Sequence, residues 1–179
     1  MMTHLHGATR VAPDSTGRLI TYRQIALGDL ARLEQFHKEL SPQTVRQRFS
    51  SVVPLRTRIE RKRLESQCAI DEDHTFALVA LYDEHLLGIA RFTRTQMHKG
   101  ELAFVVRDAD QTKHIGKELF RTLLGWIREN HSNDRERFLV TAQMASTNER
   151  MKALFRAFGF AVELDPKDYT QAIATLAIN

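Results

Sequence analysis

The chain has 179 residues, 42% of them hydrophobic and 27% charged, with a net charge of +4 and a sequence pI near 9.5. This balance fits one folded domain and excludes a disordered chain, and no apolar run approaches the roughly 20 residues of a membrane-spanning helix. One cysteine, Cys68, excludes an internal disulfide and a cysteine-built zinc cage; with no apolar leader at the N-terminus, the expected setting is the cytoplasm, away from membranes.

Residues 1–17 show no period and read as a flexible arm ahead of a single domain spanning 18–179. Leu19–Ile25 alternates as a first strand. Asp29 caps a helix carrying Leu30, Leu33, His37 and Leu40, and Ser41-Pro42 opens a second, short helix that buries Val45 and Phe49. A third helix is expected over about Thr57–Gln67. Phe76–Leu81 and Leu86–Thr93 form a hairpin across the turn Tyr82–His85, Thr95–Gly100 is a polar loop, and Glu101–Val106 is the next strand. A polar turn then leads to an amphipathic helix opening at His114–Lys117. Phe138–Ala142 is another strand. Ser146 with Glu149 makes a capping box for a helix presenting Met151, Leu154, Phe155 and Phe158, and Gly159 caps its end. Phe160–Glu163 and Gln171–Ile178 close the chain as strands. The order predicts an α/β domain: a mixed, mostly antiparallel sheet flanked by helices, with one central βαβ crossover.

Glu101–Asn130 is the centre of this pattern. A strand that feeds a helix through a donor-rich turn aims backbone N–H groups and the positive end of the helix dipole at one point, which suits a phosphate. The crossover is also where a ligand sits in an open sheet, beyond the carboxyl end of its strand.

These elements resemble the GNAT superfamily of acyl-CoA-dependent N-acyltransferases. Its members have a strand, a Q/R-x-x-G-x-G/A turn and a helix, followed later by an Asn-initiated helix ending in Gly-Phe. The matching residues are Val105-Val106, Gln111–Gly116, and Asn148 through Gly159-Phe160. A narrower likeness is to bacterial Pat-type protein lysine acetyltransferases, carried by Leu40–Phe49, Gly88–Phe92 and Glu101–Gln111. The resemblance implies acetyl transfer from acetyl-CoA to a primary amine, with a protein lysine as the expected acceptor and no metal. It implies Glu101 as general base, and partial burial at the head of an apolar strand would suit a carboxylate to that work. A main-chain N–H near Val105 or Val106, freed by a bulge, would polarise the thioester carbonyl. Phe104, Val105 and Val106 would flank the acyl-CoA; Gln111, Thr112, Lys113, His114, Ile115, Gly116 and Lys117 would hold its pyrophosphate; Asn148 would meet the pantetheine arm or serve only as a helix cap.

The sequence departs from the family at two places. His114 replaces the first glycine of the turn and Thr112 stands where glycine is frequent; an alternative reading is therefore a catalytically weak module that binds acyl-CoA or regulates. Many members place a tyrosine seven residues after the asparagine, and here that residue is Phe155, so no tyrosine general acid is expected. The basic window Arg46–Arg63 reads as a solvated helical face, since no aromatic residues interleave from Arg56 to Arg63 to stack bases, and nucleic acid is not an expected partner. His4, His6, His74, His85, His98 and His131 give no metal spacing, and Cys68 and Trp126 read as packing.

Overall fold

The computed structural model describes residues 9–49, 53–71, 73–131 and 137–178. Its strands are β1 (Arg10–Pro13), β2 (Leu19–Gln24), β3 (Thr75–Tyr82), β4 (His85–Gln96), β5 (Lys99–Val106), β6 (Phe138–Ala145), β7 (Ala161–Asp165) and β8 (Asp168–Ile178). The helices are α1 (Leu30–Glu39), α2 (Pro42–Phe49), α3 (Leu55–Arg58), α4 (Arg61–Cys68), α5 (Ile115–His131) and α6 (Glu149–Ala157). The strands form one sheet in the order β1-β2-β3-β4-β5-β6-β8-β7. Every neighbouring pair is antiparallel except β5 and β6, which the α5 crossover joins in parallel. This is the mixed, mostly antiparallel sheet with one central crossover that the order of apolar segments predicts.

Helices cover both faces, so the central strands lose the apolar–polar alternation of a half-exposed sheet. In β3 six consecutive residues, Phe76–Leu81, are buried. One face packs α5 and α6: Leu119, Phe120, Leu123 and Ile127 recur at helical spacing and meet Leu102 and Phe104 of β5. Trp126 stacks on Phe76 with ring centroids 4.2 Å apart, which makes it a packing residue. The other face packs α1, α2 and α4 through Leu33, Phe36, Val45 and Leu64 onto Val79, Ile89 and Val105. Adjacent residues of β5 thus serve opposite cores, as period-2 geometry demands.

Several boundaries differ from expectation. Arg10–Pro13 pairs with β2 as an edge strand, so residues 10–13 of the expected arm belong to the sheet; residues 1–8, including His4 and His6, lie outside the described residues. The single helix expected near Thr57–Gln67 is two, broken at Ile59-Glu60. The Thr95–Gly100 loop is a tight turn at Met97-His98, because β4 and β5 pair as far as Gln96↔Lys99. The hairpin turn between β3 and β4 needs only Asp83-Glu84, with Asp83 at φ +50°. Asn148, not Ser146, caps α6: its side chain accepts from the Met151 N–H at 3.1 Å, while the Ser146 N–H donates to the Thr170 carbonyl. Gly159 ends that helix at φ +89° as the pattern requires. Among the described residues no helix is long and apolar enough to cross a membrane.

Candidate active site

The site is a fork in the sheet. β5 and β6 share three parallel pairs, Lys99↔Leu139, Gly100↔Val140 and Glu101↔Thr141, and then part. Beyond that point β5 stays on β4 as far as Gly88↔Val106, and β6 stays on β8 as far as Ala145↔Gln171. A cavity of about 910 Å³ opens between them, walled by β5 from Glu101 to Val106 and β6 from Ala142 to Met144, with α2 and α6 at its sides.

The parting strands leave main-chain groups without a ladder. On β5 the Arg107 N–H donates to Leu87 of the β4 side, whereas the His98 carbonyl accepts from Leu139 of β6. By the alternation of ladder bonds, Leu102, Phe104 and Val106 turn their N–H and C=O groups toward the fork. The Val106 carbonyl is met there by the Gln111 side chain, Nε2 donating at 3.1 Å. The β4–β5 register runs without a shift from Gly88↔Val106 to Arg94↔Gly100. The free group next to Val105 therefore arises from divergence of the strands and not from the expected bulge, and it belongs to Val106.

Past β5 the chain makes one 3-10 turn, Asp108–Asp110, before α5. Thr112 and His114 both adopt left-handed backbone, at φ +67° and +68°. These are the two positions at which the sequence departs from the expected glycines, so the turn keeps a glycine-type path with side chains that resist it. Histidine is among the residues that tolerate this region; a β-branched threonine is not. The turn is held from outside. Asp110 is buried and accepts from Arg18 Nη2 at 2.8 Å and Arg107 Nε at 2.6 Å, and the Ser15 N–H donates to the Lys113 carbonyl at 3.1 Å. Burial alone would push the Asp110 carboxyl up, but Arg18 and Arg107 hold it below its ordinary range.

Gln111, Thr112, His114, Gly116 and Lys117 line the cavity. Lys113 and Ile115 do not. Lys113 folds back to donate to the Ala109 carbonyl at 2.6 Å, and Ile115 is fully buried under the sheet. Gly116 packs closely: a Cβ there would stand 3.4 Å from Val106 Cγ2. Asn148 also lines the cavity while capping α6.

Glu101 occupies the apex of the fork. Its carboxylate is exposed toward the cavity mouth, not partly buried as its apolar strand suggests, because β6 offers no cover beyond Thr141. Phe104, Val105 and Val106 form the adjoining wall. Phe155 lies against Phe104 and Phe120 in a buried aromatic cluster, and Tyr22, Tyr82 and Tyr169 are not on the cavity wall.

Helix α2 is the part of the site missing from the sequence reading. Gln43, Thr44, Gln47 and Arg48 face the cavity. Their spacing of i, i+1, i+4 and i+5 is a helical stripe, visible in Pro42–Phe49 once its polar side is considered beside the buried Val45. Asp108 pins this helix to the turn: it accepts from the Ser41 N–H at 2.9 Å, Ser41 Oγ at 2.5 Å and Thr44 Oγ1 at 2.7 Å. Arg48 is half-buried with its guanidinium 5.0 Å from the Phe49 ring centroid. Burial lowers its pKa, and Glu101 pulls the other way.

A family model described as the acetyltransferase (GNAT) family matches residues 33–160. An acetyltransferase of Pseudomonas aeruginosa is 30% identical over 168 residues, covering 90% of this chain and 86% of that protein. Among solved structures, the GNAT domain of S. lividans PAT superposes with a TM-score of 0.82 at 18% identity, covering 95% of this chain and 97% of that one. The PaiA N-acetyltransferase of Thermoplasma acidophilum, solved in complex with coenzyme A, superposes with a TM-score of 0.65 at 17% identity, covering 87% and 97%. At those identities the two structures speak for the fold.

Proposed function

The chain belongs to the acetyltransferase (GNAT) family, and from that premise we propose that it moves an acetyl group from acetyl-CoA to a primary amine, a protein lysine in the first instance, with Glu101 as the base. The observation that carries the assignment is the place of Glu101, at the last residue pair before β5 and β6 part. A carboxylate there borders both the wall of unpaired main-chain groups and the open mouth. The exposed carboxylate and the polar face of α2 leave the mouth accessible to a side chain presented by a protein surface.

The residues present fit an acyl-CoA. Main-chain N–H groups of the turn from Gln111 to Gly116 and the first turn of α5 offer an anion site, with His114 and Lys117 as side-chain donors beside it. Val106 and Phe104 supply unpaired N–H groups along the fork, which would orient a carbonyl oxygen and stabilise charge on it. Glu101 accepts a proton from the amine as nitrogen bonds to the acetyl carbon and the carbon–sulfur bond breaks. The departing thiolate is protonated by water or by the proton leaving the ammonium, since Phe155 provides no phenol. That Thr112 and His114 preserve the left-handed turn supports acyl-CoA binding in spite of the missing glycines.

The test is acetyl-CoA-dependent release of free thiol with lysine peptides. Glu101→Gln is expected to lower kcat by on the order of 10²-fold. Unchanged turnover in that variant would remove Glu101 from the role, and no thiol release with any amine would remove the assignment itself.

A further inference from the structure

Arg48 is a cation without a matching anion. It lies on the cavity wall, half-buried, with its guanidinium over the Phe49 ring. Among the described residues no carboxylate stands within ion-pair distance of it, and Glu101 is the one opposite charge that acts on it. The other charges facing it have its own sign. Arg63 of α4 is one, and Arg91 is the second. Arg91 sits opposite Ala103 in β4, on the Glu101 face of the sheet; its guanidinium donates to the Gln67 carbonyl, and burial lowers its pKa as well.

Half-buried charges in folded proteins are normally paired, because desolvation is costly and a nearby opposite charge offsets it. Arg48 breaks that rule on the wall of the cavity through which the amine must enter. An amine arriving as an ammonium ion would also meet the Arg48 cation beside the Glu101 carboxylate, with Arg63 and Arg91 adding charge of the same sign from off the cavity wall. A second charge on the acceptor, negative and a few ångströms from its nitrogen, would resolve both conflicts. Arg48 is suited to receive it: a planar guanidinium pairs with a carboxylate through two parallel hydrogen bonds, and the neighbours Gln43 and Gln47 on the same helix face add neutral donors.

We propose that the acceptor is an amine bearing a carboxylate close to the reacting nitrogen, and that Arg48 is the residue that selects it. The proposal rests on the acetyl-transfer reading and names the substrate class for that site. The carboxylate has two sources, the α-carboxylate of a free amino acid and the acidic side chain beside a lysine in a peptide. They call on the same chemistry at Arg48.

Two matched pairs of probes separate them: a free amino acid against its amide (alanine against alaninamide), and a lysine peptide flanked by glutamates against the same peptide flanked by glutamines. Each is measured by acetyl-CoA-dependent thiol release and by calorimetric binding, so a protein that binds without turnover still gives an answer. In at least one pair the carboxylate member is expected to be favoured about tenfold or more, in kcat/KM or in affinity. Arg48→Gln is expected to bring that ratio close to one. A preference in the first pair identifies a free amino acid, and one in the second identifies an acidic peptide. Ratios of one in both pairs with the unmodified protein overturn the proposal, as does a ratio that survives Arg48→Gln. If Arg48→Gln does not fold, Arg48→Met carries the same comparison. Thiol release with every probe but no carboxylate preference leaves the acetyl-transfer reading standing and removes this one. Carboxylate-selective binding without thiol release from any probe removes the acetyl-transfer reading and the acceptor with it, and leaves Arg48 as a carboxylate-binding residue only.

Discussion

Arg18 Nη2 and Asp110 Oδ1 stand 2.8 Å apart across 92 residues of sequence. The contact joins the β1–β2 hairpin to the turn that precedes α5, and Arg18 also holds the buried Asp14 through Nε at 2.8 Å. The phosphate-binding candidate is therefore built by one segment and braced by another from the far end of the chain.

Removing Arg18 should damage both stability and the site. Arg18→Met leaves Asp110 with Arg107 at 2.6 Å and Lys113 at 3.4 Å, and deprives two buried carboxylates of a charged donor. A loss of about 2–3 kcal/mol is expected from urea denaturation, with a rise in KM for acetyl-CoA larger than the change in kcat. Asp14 and Asp110 both titrate below their ordinary range in the folded protein, so their contribution is complete above about pH 4 and is lost as pH falls further toward their folded values. Arg18→Met should shrink that acid-limb slope; equal slopes in the two proteins would show that the network does not set it.

Thr112 carries backbone strain that glycine would relieve. A left-handed β-branched residue costs about 1–2 kcal/mol, and glycine returns roughly half of the gain through its freedom in the unfolded chain. Thr112→Gly should therefore stabilise the protein by about 0.5–1 kcal/mol in denaturant unfolding while acetyl-CoA still binds. A loss of stability would mean that the Thr112 hydroxyl, bonded to the Gln111 carbonyl at 2.5 Å, matters more than the strain.

The order of elements and the crossover were legible in sequence because buried strands and amphipathic helices announce themselves by period. Three parts of the site were not. Residues 10–13 look aperiodic since β1 is an edge strand with one neighbour and three exposed residues in four. The fork is a relation between pairs of strands: Leu102–Val106 reads as an ordinary ladder, and only the pairing of β6 with β8 shows that one side is open. The functional face of α2 is polar, and a reading keyed to apolar positions finds Val45 and Phe49 and passes over Arg48 between them. The Asn148 cap was legible as an alternative to the Ser146 box, but sequence could not rank two neighbouring cap residues.

Gly100 is required by contact, not by its dihedral angles. A Cβ at this position would fall 2.1 Å from Cε2 of Phe92, whose ring is 2% exposed and packed against Trp126 and Phe138. Gly100→Ala should cost about 1–3 kcal/mol, the usual range for overpacking, and more if the ring cannot shift. It should also lower activity, because Gly100↔Val140 is the pair immediately before Glu101. Adding Phe92→Leu should restore part of both; a double variant no better than the single one would locate the damage elsewhere.

His37 should set the stability of the protein in mildly acidic solution. It is 3% exposed on α1, and burial lowers its pKa from 6.5 to about 4, opposed by a contact between Nε2 and Gln67 Oε1 at 3.5 Å and reinforced by Arg58, Arg63 and Arg48. The sign follows from proton counts. Between the two values the unfolded chain holds a proton on this histidine and the folded chain does not, so the folded state loses stability as pH falls. The difference amounts to about 3 kcal/mol across the window from pH 6.5 to pH 4, and it levels off below that, where both states are protonated. Unfolding free energy measured by denaturant at intervals through this window should therefore decline steadily with acid. His37→Gln should flatten the decline, leaving the carboxylate-driven loss below pH 4 in place. If the variant and the unmodified protein follow the same curve between pH 4 and pH 6.5, the imidazole is protonated inside the fold and its surroundings supply a partner for the charge.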